Sequence, residues 1–566
     1  MVAGARTFSL EDTFLAPHIL NPPPTRHALL AFLLALAAVL HIGTAAWGDL
    51  FDGTEGQIAG GAREMSQSKQ WLLATNNGAP TLDVPPFSYW AVAASYKIFG
   101  VSATAARIPI ALAMIAAVAF TFLIGERLAG YWRGFAAGLI HLCSLGGFLY
   151  GRLVSPGPLT AVFVSAAIYC VVRGYQHRKF RRIWFLAFTV CTGLACLTAG
   201  LQAILYPAGI CLLLALFFRE ARSRFQPLLH WTNVLLFLLL VAPWFIWAQL
   251  HFPGFWSRSA LGSLGGNGFD FVMAMLGGWW PALFLLLPAL LVVPRKIFRP
   301  EEFTAADALP LTWIGVVLAG SVFTSRAETA AAVIALPGFA LFAASAWERI
   351  PARFRAWGIL SAILPGLIVY LLVLFAPDTL EPFVKRPLPD WLWLSIRPLA
   401  QIVLVALLAF SIAALLAVRR QRGEIALLLA LGAMAPIGFC LTEARARVAP
   451  FFSLADAAQY LNPRLGAGAE VVVEGTAPDG NSLVFYLDKK FFHVNQKPGH
   501  FENEADAQSR YLDEHAVLEA WERSSPVYLI IGEERVSSWR RLITDRVHIY
   551  HQVTTCGSRV ILSNQL

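Results

Sequence analysis

Stretches of apolar residues long enough to cross a bilayer recur along this chain between Leu29 and Leu441, and no other feature limits its fold as severely. A hydrocarbon core of roughly 30 Å takes about 20 residues of helix, and backbone groups inside lipid must satisfy one another, so each stretch predicts a spanning helix. The expected starts lie near Leu29, Ile108, Gly134, Leu159, Ile183, Leu201, Val234, Val272, Leu309, Ala331, Gly358, Leu399 and Ile425, about thirteen in all. The composition agrees: 57% of residues are hydrophobic and 14% charged, whereas a soluble globular chain is nearer ~45–50% apolar. A soluble enzyme is excluded.

Lys and Arg fix the orientation, because they concentrate in short cytoplasmic loops. With the amino terminus inside, the inner loops GERLAGYWRG, QHRKFRR, REARSR, PRKIFRP, ERIPARFR and RRQRG hold 18 of them. The short outer loops hold Arg152, Arg258, Arg326, Lys385, Arg386 and Arg397. An odd number of spans then puts the tail outside. The net charge of +9 is largely topogenic and calls for no nucleic-acid partner. The leader, residues 1–28, is polar, carries Pro22 to Pro24, and lacks the apolar core of a cleaved signal.

After Cys440 the polarity becomes ordinary, which predicts a small soluble α/β domain over residues 442–566 beyond a membrane domain over 29–441. EVVVEG, FFHVN, PVYLIIG, VHIYHQV and RVILSN read as strands, and EADAQSRYLDEHAVLEAWERS as a helix. Six of the seven cysteines lie in or beside apolar spans, so no disulfide framework is implied. His141 falls inside the third span, where a hydrogen bond to a neighbouring helix is expected. Trp279, Trp280, Trp391 and Trp393 suggest interfacial belts, and His493 and His500 in the tail read as solvated.

The first outer loop, residues 48–100, departs from this apolar background. It carries FDGTEGQIAGGAREM, then QWLLATNNGAP, then LDVPPFSYW, with Asp52, Glu55, Arg63, Asp83 and the Tyr89-Trp90 pair as its chemical groups. Thr54 and Gln57 fit a helix capping box, and Glu55 suits the positive end of the helix dipole. A carboxylate here is equally suited to general-base work on a lipid substrate at the water interface.

This loop, from Phe51 to Arg107, resembles the first periplasmic loop of bacterial lipid-linked-sugar glycosyltransferases, the aminoarabinose transferases and their protein mannosyltransferase relatives. The resemblance implies an all-α polytopic membrane domain of the GT-C fold with the outer α/β tail. It implies a multi-pass protein of the bacterial inner membrane that moves a sugar from a polyprenyl-phosphate donor to a lipid, glycan or protein acceptor on the extracytoplasmic face. Asp52 and Glu55 become the candidate catalytic carboxylates, able in principle to share a divalent metal. Arg152, Arg258, Arg326, Arg63, Asp83 and Tyr89 become candidates for contacting donor phosphate or substrate, although interfacial arginines also snorkel to headgroups.

The match is incomplete in its charges. The family's Asp-Glu pair appears as Thr54-Glu55, its Glu-Lys-Pro-Pro as Asp83-Val84-Pro85-Pro86, its Asp-Pro as Gly157-Pro158, and its Thr-Lys-Gly as Thr198-Ala199-Gly200. Losing one preorganised charge-stabilising donor costs about 2.7–4 kcal/mol of barrier. These departures leave a second reading open, a relative that binds polyprenyl lipid or scaffolds the envelope without catalysis.

Overall fold

The computed structural model describes residues 25–177, 179–257, 268–286, 303–322, 328–380, 388–475, 479–499, 501, 509–547 and 549–565. A helix covers or closely follows every expected start. Seven among the described residues are long and apolar enough to cross a membrane: Ala103–Ala129, Pro156–Gln176, Arg181–Ala199, Trp231–His251, Ala352–Phe375, Asp390–Arg419 and Gly423–Phe452. Tyr131–Leu142 and Leu145–Arg152 form a further pair bent by 61°, and Arg26–His41, Leu201–Phe217, Ala305–Ser321 and Ala332–Trp347 are shorter apolar helices. The chain is a multi-pass membrane protein.

His141 meets its expectation, with its Nδ1 2.8 Å from Thr121 Oγ1 on the adjacent span. The tryptophans divide. Trp279 stacks on Phe339 with ring centroids 4.3 Å apart and Trp280 bonds the Ala362 carbonyl at 2.9 Å, so both are buried packing groups rather than belt residues. Trp393 is buried too, while Trp391 is exposed.

A helix, a hairpin and a second helix build the loop over residues 48–100. The juxtamembrane helix Thr54–Ser68 is followed by the hairpin β1 (Ala74–Asn76) and β2 (Ala79–Thr81), and Phe87–Phe99 returns the chain to the next span. Asn77 and Gly78 make the turn with positive φ (54° and 76°), the combination that a tight hairpin requires.

The C-terminal region holds a six-stranded sheet of order β5-β4-β3-β6-β8-β7. The strands are β3 (Glu470–Glu474), β4 (Phe492–Val494), β5 (Tyr511–Leu512), β6 (Val527–Gly532), β7 (His551–Cys556) and β8 (Arg559–Ser563). β3 to β6 are mutually parallel and β8 and β7 add antiparallel edges. Val471 and Val473 face one apolar core and Val472 the other, so β3 is buried on both sides. The expected long helix is interrupted: residues 504–508 lie outside the described residues, Ser509 and Arg510 are helical, Tyr511–Leu512 pairs with β4, and a new helix starts at Glu514 behind Asp513, whose carboxylate caps Ala516 N at 2.7 Å.

A short helix, Asn481–Tyr486, docks this region onto the loop. Its partner is the glycine face of Thr54–Ser68, for a Cβ on Gly56 would stand 2.5 Å from Ser482 N and one on Gly60 2.9 Å from the Val484 side chain. Asp52 Oδ1 accepts from Ser482 N (2.9 Å) and Oγ (2.6 Å) at the amino end of the docking helix. Arg63 donates to the Phe485 and Leu487 carbonyls (2.5 and 2.9 Å) at the other and pairs with Asp488 at 2.8 Å. Each charge therefore meets the dipole end it stabilises. Gly56→Val is expected to cost about 1–3 kcal/mol through overpacking and to loosen the C-terminal region, seen as faster limited proteolysis between residues 453 and 480, whereas Gly315→Ala, inside the helix Ala305–Val322 with nothing within 4 Å of the added Cβ, leaves the cleavage pattern unchanged.

Candidate functional site

At the foot of the loop a carboxylate is enclosed by guanidiniums. Glu55, in the first turn of Thr54–Ser68, is only 4% exposed. Its Oε2 accepts from Arg445 and, at 3.0 Å, from Phe51 N; its Oε1 accepts from Arg107 Nε and Val154 N, both at 3.4 Å. Burial alone would raise its pKa, but Arg445, Arg107 and the two amides outweigh burial and hold the carboxyl below its ordinary value. Glu55 is therefore a carboxylate across the neutral range.

The arginines come from different spans. Arg107, near the start of Ala103–Ala129, also donates to the carbonyls of Ala45 (3.2 Å), Trp47 (3.1 Å), Gly48 (2.7 Å) and Asp49 (2.8 Å), so it organises the turn that leaves the first helix. Arg445, in Met434–Phe452, lies 4.2 Å from the Phe51 ring centroid, and Phe51 stacks on Phe452 at 5.4 Å. Arg152, at the end of the bent pair, donates to Thr44 O at 2.7 Å and to Thr442 Oγ1, and lies 4.6 Å from the Phe148 ring centroid. Among the described residues no carboxylate pairs with Arg152, and its charge couples to those of Arg107 and Arg445.

The remaining expected residues fall elsewhere. Asp52 and Arg63 clamp the docking helix, so the two loop carboxylates Asp52 and Glu55 do not converge. Tyr89 is buried in the core beneath the loop, and Trp90 bonds the Trp71 carbonyl at 2.6 Å. Asp83 is exposed on the wall of a cleft of about 450 Å³ between the β1–β2 hairpin and the C-terminal region. Arg258, Arg326 and His500 lie outside the described residues. His493 is buried at 9% exposure, not solvated. A divalent metal does not fit the acidic pair, because two guanidiniums already neutralise Glu55 and Asp52 is turned to Ser482. Among the described residues no three His, Cys, Asp or Glu side chains gather as a metal site.

Asp49 and Tyr486 went unremarked in the sequence. Tyr486 Oη accepts from Leu50 N at 2.8 Å and lies 3.5 Å from Asp49 Oδ1. Burial and the nearby Asp456 raise the Asp49 carboxyl, outweighing Arg107, Tyr486 and Arg445. Arg107 and Arg445 were legible as charges inside apolar helices, a pattern that marks function by default.

The sequence profile of the dolichyl-phosphate-mannose-protein mannosyltransferase family matches residues 83–247. An uncharacterised protein of Aquifex aeolicus is 28% identical over 39% of this chain and 44% of its own length. The undecaprenyl phosphate-alpha-4-amino-4-deoxy-L-arabinose arabinosyl transferase of Aeromonas hydrophila is 26% identical over 37% of this chain and 38% of its own. The matched segments thus span less than half of these curated relatives. The crystal structure of ArnT from Cupriavidus metallidurans bound to undecaprenyl phosphate superposes with a TM-score of 0.79 at 20% identity, covering 94% of this chain and 98% of that one.

The chain is a divergent relative of the aminoarabinose transferases and protein mannosyltransferases, on the GT-C fold. In this chain Thr54 and Val84 carry no charge, while Glu55 is committed to Arg107 and Arg445.

The depressed Glu55 pKa has a defined consequence for stability. Its contribution is fully present above the unfolded carboxyl value, about 4.3, and is lost as pH falls through the lower folded value. Glu55→Gln, which strands two guanidiniums, should cost about 3–5 kcal/mol at pH 7. Thermal melts in detergent should show the gap between wild type and variant closing below pH 4; a gap constant with pH would rule out an ionised Glu55.

Proposed function

We propose that this chain is an integral-membrane glycosyltransferase that moves a sugar from a polyprenyl-phosphate donor to a lipid, glycan or protein acceptor on the extracytoplasmic side of the bacterial inner membrane. One observation carries the reading: Arg107, Arg152 and Arg445 gather at the membrane end of the loop around a single ion-paired carboxylate, Glu55. Such an excess of guanidinium suits an anionic headgroup, and guanidinium forks match phosphate oxygens. The ArnT relative was crystallised with undecaprenyl phosphate, which supports the choice of anion.

In the reaction an acceptor O–H attacks the anomeric carbon, the bond from that carbon to the phosphate oxygen breaks, and polyprenyl phosphate departs with the bonding pair. The arginines would stabilise charge on the leaving phosphate. Glu55, with all its near donors engaged, acts through Arg107 and Arg445 by fixing where their forks point. Asp52 acts through the docking helix. Of the loop carboxylates, Asp49 has the environment that favours taking up the acceptor's proton.

Arg152→Gln tests the reading with little risk to the fold, since this arginine holds no carboxylate. A hydrogen bond to a charged group contributes about 1.5–3 kcal/mol, so undecaprenyl-phosphate affinity in nanodiscs should fall about 10- to 150-fold. With labelled polyprenyl-phosphate sugars, Asp49→Asn should abolish transfer while keeping lipid affinity. Unchanged affinity in Arg152→Gln would overturn the phosphate assignment, and absence of transfer by wild type with every donor would overturn the enzyme.

A further inference from the structure

The cleft between the β1–β2 hairpin and the C-terminal sheet has chemistry that the guanidinium cluster does not use. Three of its lining residues present a shielded side-chain atom without a hydrogen-bond partner: Asn76 Oδ1, His493 Nδ1 and Gln496 Oε1. A buried polar atom left unsatisfied costs about 1–3 kcal/mol, and it is the gathering of three around one space that sets these apart. Three in one cleft point to a partner that brings donors.

Their surroundings narrow the partner. The Asn76 amide donates to Asn481 Oδ1 at 2.6 Å, and the Asn481 amide donates to Gly53 O at 3.2 Å, so the Asn76 oxygen is fixed as an acceptor. The His493 ring stacks on Tyr511 (centroids 5.3 Å apart, 17° between planes) and meets Phe491 at 5.1 Å. Burial and the neighbouring Arg510 push this imidazole down to about 4, so it is neutral at physiological pH and one ring nitrogen is an acceptor. Exposed Asp83 and Lys497 stand on the rim with opposite charges.

We infer that this cleft is a saccharide subsite, in which a hydroxyl-rich ring donates its O–H groups to Asn76, His493 and Gln496 and lays its C–H surface against the Phe491, His493 and Tyr511 cluster. A volume of about 450 Å³ lies within the ~300–1,000 Å³ of small-molecule sites. Resting on the transferase reading, the ring belongs to a glycan acceptor held between loop and sheet while donor phosphate occupies the arginines. Thr54 lines the same cleft one residue from Glu55, so the two subsites are contiguous along one helix turn.

Binding is measured on the full chain in nanodiscs without donor lipid, by saturation-transfer NMR with N-acetylglucosamine and, separately, inorganic phosphate as probes. Wild type should transfer saturation to the sugar ring protons, and the double variant His493→Phe, Gln496→Leu should bind at least about 10-fold more weakly. Because the variant removes unsatisfied atoms while keeping an aromatic ring, its melting temperature should equal or exceed that of wild type; Gln496→Leu alone should weaken the sugar without lowering the melt. No saturation transfer in wild type, equal binding by the variant, a lowered melt in both variants, or competition by inorganic phosphate would each overturn the subsite. Arg152→Gln should leave sugar binding intact, so failure of the donor-phosphate reading and failure of the acceptor subsite register in different measurements.

Discussion

A carboxylate with 4% exposure can remain ionised only where its surroundings replace the water it lost, and at Glu55 two guanidiniums and two backbone amides do so. The groups that meet there belong to separate stretches of the chain: the juxtamembrane helix, the start of one span, the segment after the bent pair, and the last span. Hydrophobic packing in lipid cannot set their relative heights by itself, because lipid tails are as apolar as the side chains they would exchange with. A four-way polar junction can. The path of the outer loop, and with it the position of the docking helix and cleft, is referred to this point.

The helix Thr54–Ser68 divides its labour by face. Glu55 points to the membrane junction, Gly56 and Gly60 to the docking helix, Gly61 to the Tyr89 ring, and Thr54 and Gln57 to the cleft. Eight residues of sequence, Thr54 to Gly61, thereby touch the membrane domain, the C-terminal region and the proposed ligand space together.

Much of this was readable in advance. The apolar periodicity located the helices, and the motif identified the relatives, since both signals are local. Five of the six sheet strands were marked by branched and aromatic runs; Tyr511–Leu512 was not, because two residues cannot establish a period and the flanking pattern favours helix. The charged residues were harder. Asp52 read as a catalytic carboxylate and Arg63 as a substrate contact, and both hold the ends of Asn481–Tyr486, a partner more than 400 residues away that no spacing rule reveals. His493 read as solvated because the side chain is itself polar, yet it is buried with its ring against Phe491 and Tyr511, the latter from a strand the pattern did not mark. Thr54 and Gln57 read as a reciprocal capping box, whereas Gln57 reaches Thr81 at 2.8 Å and ties the helix to the hairpin.

Arg107 recognises the turn at residues 45–49 by its carbonyl oxygens, which every amino acid possesses. The side chains of that turn are thus released from maintaining its shape. A lineage can rewrite them, losing or regaining acidic and basic groups, while the backbone trajectory stays pinned by a residue in another helix. Such an arrangement lets a scaffold change what it acts upon faster than it changes form.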